Sequence, residues 1–137
     1  MNDPQRLHEE GIVKGFIIRE RQSRYLEFLN RPKCRGSFTG ELAHFKHLDP
    51  AFVQLIPPAK QNVAGISQLL REKGAPENCW AISESSELDS QLLPLVAALK
   101  KILGMEIGTF LSCIPSVLGY FEDEDGRFIL YRPPKSP

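Results

Sequence analysis

The stretch VLGYFEDEDGRFILYR, residues 117–132, reads as two apolar strands on either side of an acidic, glycine-containing turn. Asp125-Gly126 is a dipeptide that accepts the positive φ angles of a tight turn, so the expectation is an antiparallel hairpin turning there. The second strand says more than the hairpin does. Successive side chains alternate across a strand, and in RFILYR Phe128 and Leu130 point one way while Ile129 and Tyr131 point the other. Neither face is polar, so the sheet needs cover on both sides.

Working outward from there, GTFLSCI (108–114) has strand composition. Before it, PLVAALKKILG (94–104) is a helix by pattern. Pro94 sits in the first turn, Leu95, Val96, Leu99, Ile102 and Leu103 form an apolar stripe, Lys100 and Lys101 sit where the helix dipole favours cations, and Gly104 is the stop. CWAIS (79–83) is a further strand, and a strand, a helix and a strand in succession predict a parallel crossover. Upstream, three segments read as helical: residues 15–30, part of 37–47, and 61–73, the last ending on Gly74 as a left-handed C-terminal residue. AFVQLI, between Asp49-Pro50 and Pro57-Pro58, is a helical turn or a short strand. The fold class is therefore α+β (mixed α/β). A helical N-terminal half, about 12–74, packs on a mixed four-stranded sheet within about 79–132, with one strand-helix-strand crossover and a C-terminal antiparallel hairpin, in a single domain over 1–137. The three N-terminal helical segments are expected on one face of the sheet and the helix from Pro94 on the other.

Composition narrows the class of protein. With 42% hydrophobic and 25% charged residues the chain has globular proportions. Its longest apolar run, Leu92 to Leu99, is far shorter than the roughly 20 residues that cross a bilayer. The first residues, MNDPQRLHEEG, lack the apolar core of a secretory signal, and three cysteines without a C-x-x-C pair make no disulfide framework. These features predict a cytoplasmic protein with reduced thiols and no membrane segment. Formal charge is zero, but residues 1–60 hold ten Lys/Arg against seven Asp/Glu and the remainder holds the reverse.

Four places offer chemistry. The loop after CWAIS carries Ser83, Glu84, Glu87 and Asp89; beyond the carboxyl end of a parallel strand it is a candidate ligand site, and otherwise Ser86 or Asp89 caps the following helix. No G-x-S-x-G elbow is present and no histidine follows the loop, which argues against a serine hydrolase. His44 and His47 are spaced to meet one metal on a helix but lack a second ligand pair. The acidic run 122–125 does not fit a calcium loop, because Phe121 and Arg132 fall where carboxylates are required, and it reads as a solvated hairpin tip. No phosphate-loop or dinucleotide motif occurs, so no cofactor is expected. The fourth place is the segment 14–35, where Lys14, Arg19, Arg21, Arg24, Arg31, Lys33 and Arg35 face only Glu20 and Glu27. Arg19, Arg21, Arg24, Arg31, Lys33 and Arg35 are the candidates for holding an anionic partner. The function expected is that of a small non-enzymatic interaction or regulatory protein with a protein partner. The alternatives are RNA binding through the basic segment and an enzyme or small-ligand site at the 83–89 loop.

Overall fold

A computed structural model describes residues 3–133. Its class is α+β, with a six-stranded sheet of order β1-β6-β5-β4-β2-β3. The strands are β1 (Val53–Leu55), β2 (Asn78–Ser83), β3 (Gln91–Pro94), β4 (Thr109–Ile114), β5 (Leu118–Asp123) and β6 (Gly126–Tyr131). The longer helices are α1 (Pro4–Phe16), α2 (Arg19–Asn30), α3 (Arg35–Thr39), α4 (Val63–Glu72) and α5 (Leu95–Ile102).

The sheet departs from the sequence expectation in strand number and direction. It has six strands rather than four, and every hydrogen-bonded neighbour is antiparallel. β3 is the strand the sequence reading lacked. It pairs back on β2 from Asn78↔Pro94 to Ala81↔Gln91, so the serine-acid loop is the tip of a hairpin. A crossover does exist, one strand later than expected. β3 and β4 both run antiparallel to β2, so the connection through α5 joins two strands of the same direction with β2 between them. The C-terminal hairpin is present, but Asp123 pairs with Gly126, which makes the two-residue loop Glu124-Asp125. Gly126 does not have a positive φ. The Asp123 carboxylate sets the turn by accepting the Asp125 N–H at 2.7 Å, which moves it one residue earlier.

Both faces are covered, as the alternation in β6 requires. Cys79, Ala81, Leu111, Tyr120 and Ile129 pack with Ile66 and Leu70 of α4 and Leu95, Leu99 and Ile102 of α5. Trp80, Ile82, Phe110, Phe121 and Leu130 pack with Ile12, Val13 and Phe16 of α1, Tyr25 of α2 and Phe38 of α3. Of the three helical segments expected on one face, the third, α4, thus lies on the opposite side with α5. Phe110 and Phe121 meet at a ring separation of 4.6 Å, at the centre of an aromatic cluster that includes Tyr25, Phe38 and Phe45.

The expected helix over 15–30 is in fact two. α1 begins at Pro4, where the Asp3 side chain accepts the Gln5 N–H. It ends because Ile17 and Ile18 turn extended and pair with 47–49: Ile18 N–H donates to the His47 carbonyl and Asp49 N–H to that of Phe16. Gly11 and Gly15, one turn apart, let α1 lie directly on the β4–β5 turn; a Cβ at Gly11 would stand 2.5 Å from the Ser116 nitrogen. Gly74 and Gly104 have the left-handed conformation expected after α4 and α5.

Candidate functional site

The basic segment 14–35 is divided by the fold into a buried part and an exposed part. Arg35, at the start of α3, turns inward between α1 and the 84–90 loop. Its Nη1 and Nη2 donate to Glu9 at 2.7 and 2.8 Å, and its Nε and Nη2 donate to Asp89 at 2.7 and 2.9 Å. Trp80 Nε1 adds a hydrogen bond to Glu9 at 3.0 Å, and Asp89 accepts the Ser83 N–H at 2.9 Å. Burial opposes the Arg35 charge, but the hydrogen bonds to Asp89 and Glu9 outweigh it and hold the guanidinium pKa above its ordinary value. The Arg35 charge is taken up by two carboxylates within the fold, which separates it from the exposed cations of the segment.

Beside this cluster His8 Nδ1 lies 2.7 Å from the Ser112 Oγ. Burial lowers the His8 pKa, opposed by the neighbouring Glu9 carboxylate. Because the fold makes this imidazole harder to protonate than it is in the unfolded chain, proton uptake favours unfolding. Stability is therefore expected to fall as the pH drops below about 6.5, and His8→Asn should remove part of that fall. Urea denaturation at about pH 7.5 and about pH 5.5 tests this, and equal pH slopes in the two proteins would count against it.

The 83–89 loop is also committed to the fold. Ser83 is buried, its Oγ 2.8 Å from the Thr109 Oγ1 and accepting the Ser85 N–H at 3.0 Å. Glu84 accepts the Gly108 N–H at 3.1 Å, and Glu87 is exposed at the tip with its carbonyl accepting from Gln91. Neither Ser86 nor Asp89 caps α5, whose N-cap is Pro94 without a side-chain bond. The loop does not lie at the carboxyl end of a strand with a parallel neighbour, so the expectation of a ligand edge loses its basis.

The weak metal candidates separate. His44 approaches Glu124 at 3.3 Å and Asp125 at 3.7 Å on the surface, whereas the His47 ring packs on Tyr25 and Phe45. No group of three His, Cys, Asp or Glu side chains gathers for a metal among the described residues. The acidic run divides too. Glu124 and Asp125 are exposed, while Asp123 and Glu122 are buried. Glu122 accepts the Tyr120 hydroxyl at 2.8 Å and the N–H groups of Gly104 and Glu106 at 3.1 and 3.3 Å, closing the end of α5. Asp123 has its pKa raised by burial, offset by N–H groups of Asp125, Gly126 and Phe45. Burial also pushes the Cys79 thiol up to about 12 and raises that of Cys113, so both are inert core groups.

What remains exposed is a basic face on α2 and the turn that follows it. Arg19, Arg21, Arg24, Arg31 and Lys33 are all exposed. Arg24 lies over the Phe28 ring at 5.1 Å, and Arg31 meets Glu27 at 3.4 Å with both side chains largely in water. Residues 30–34 form an open, mainly apolar hollow of about 480 Å³ whose lining includes Arg31, Lys33 and Cys34. Arg19 is set apart from the others, at the α1–α2 junction beside Lys14 and Arg132. The exposed cations were legible as a count along the sequence; the hollow was not, because Pro32 and Cys34 acquire their relation only when the chain turns from α2 into α3. No helix among the described residues is long and apolar enough to cross a membrane. Set against known protein families, curated proteins and solved structures, the chain matches none.

Proposed function

We propose that the protein is a cytoplasmic, non-enzymatic interaction module whose working surface is the basic face of α2 and the turn after it, and that its partner is an acidic protein segment. The observation that carries this reading is the pairing of exposed cations with an apolar hollow: Arg31 and Lys33 line the hollow, with Arg21 and Arg24 exposed on the preceding helix. A shallow concavity formed by Pro32, Cys34 and the stems of Arg31 and Lys33 suits a peptide that presents both carboxylates and an apolar side chain. A phosphate backbone would use the cations and leave the hollow unfilled.

Fluorescence anisotropy with a labelled Glu/Leu-containing peptide and a labelled single-stranded RNA tests the proposal. The peptide is expected to bind more tightly, and Arg21→Gln, Arg24→Gln and Arg31→Gln together are expected to weaken it about tenfold or more and flatten its salt dependence. The triple variant should melt close to the parent, since exposed charges contribute little stability. Tighter binding of RNA, or a peptide affinity indifferent to the triple variant, would overturn the reading.

A further inference from the structure

At the junction of α1 and α2 a second concave site, of about 320 Å³, is lined by Lys14, Arg19, Gln22, Asp49, Phe52 and Arg132, among others. Its three cations come from three separate parts of the chain: the end of α1, the start of α2 and the segment after β6. Neither Arg19 nor Arg132 has a carboxylate within 4.0 Å among the described residues, and Lys14 has only Glu10, at 3.4 Å. Asp49, the one acid in the lining, accepts the Ala51 N–H at 3.0 Å and leaves the three cations in excess.

The site is also held in shape. The Arg132 guanidinium lies 4.5 Å from the centre of the Phe52 ring and its Nη1 donates to the Gly15 carbonyl at 3.4 Å, so the group is positioned without being neutralised. Gln22 donates from Nε2 to the carbonyls of Ile17 and Lys14 at 2.9 and 3.5 Å, covering oxygens that would otherwise repel an anion. Three cations around one hollow, against the single carboxylate of Asp49, leave a net positive charge there. That excess is relieved by a compact anion. Guanidinium forks match the oxygens of a tetrahedral phosphate, and the hollow is larger than that group alone requires.

We infer that the Lys14–Arg19–Arg132 pocket binds the phosphate group of a small molecule. This inference is independent of the α2 face, because the residues that carry it are different.

Amide chemical-shift mapping at low salt with inorganic phosphate, pyrophosphate and glycerol 3-phosphate is the test. The expected result is saturable shifts centred on Gly15, Arg19, Phe52 and Arg132, with the tightest of the three probes identifying whether a free or an esterified phosphate is preferred. Arg19→Gln should weaken that probe about tenfold, while Arg132→Lys, which keeps the charge and loses the fork, should weaken it less. The triple variant at Arg21, Arg24 and Arg31 should leave phosphate binding unchanged. Shifts that never saturate with any probe, shifts centred elsewhere, or an affinity that survives Arg19→Gln in a folded protein would overturn the inference.

Discussion

Arg35→Met is expected to lower the unfolding free energy by about 3 kcal/mol, near the lower end of what removing one partner from a buried ion pair costs. The lower end applies because the Arg35 side chain keeps 18% of its surface in water while Glu9 keeps only 6%. Without the guanidinium, the Glu9 and Asp89 carboxylates are left as facing anions, and the hydrogen bonds from Trp80 and the Ser83 N–H answer only one oxygen of each. Adding Glu9→Gln to Arg35→Met should recover part of the loss, because one of the two stranded charges is then removed. Urea denaturation of the single and double variants measures both steps. A loss below about 1 kcal/mol for Arg35→Met would mean that the cluster contributes no more than an exposed ion pair.

Gly108→Ala is expected to cost about 3 kcal/mol, at the severe end of overpacking. A Cβ at Gly108 overlaps the carbonyl group of Leu42, which is backbone and cannot rotate away. Leu42 is itself fully buried and belongs to the same cluster as Phe38 and Phe45, so the segment has nowhere to retreat. Gly36→Ala is the natural control. Nothing lies within 4 Å of a Cβ there, and in the short helix α3 alanine should be neutral or stabilising by up to about 1 kcal/mol. Equal melting temperatures for the two variants would show that residues 42–44 yield easily and that the contact is not a constraint.

These two positions also mark where the sequence stops being informative. The alternation in β6, the apolar stripes of α4 and α5 and their terminal glycines are local patterns, and they located a sheet covered on both faces. Arg35 looks like its neighbours Arg31 and Lys33 along the chain; it differs because Glu9 and Asp89, 26 and 54 residues away, converge on it. Glu122 and Asp123 likewise read as part of a wet acidic tip until Tyr120 and the N–H groups after α5 or around the turn are brought to them. β3 was illegible for a different reason. QLLP is four residues long, ends in proline and runs directly into a helix, so its strand character comes from pairing with β2 and not from its own propensity. The phosphate pocket joins Lys14, Arg19 and Arg132 from opposite ends of the chain, and no local pattern links them.

The place of β1 in the sheet has a consequence for how the chain acquires its fold. Val53–Leu55 is an edge strand whose only pairing in the sheet is with Phe128–Leu130 of β6, and β6 is the last strand to leave the ribosome among those described. The N-terminal helices and their aromatic cluster rest on Phe110, Phe121 and Leu130, which are synthesised later still than the helices themselves. Until those strands emerge, the helices of residues 4–39 have apolar faces and no sheet to receive them. Closing loops of that length before the sheet contacts form makes folding slow relative to a helical bundle of similar size. During that interval the apolar face of α1, with Ile12, Val13 and Phe16, stands without the sheet that covers it in the fold.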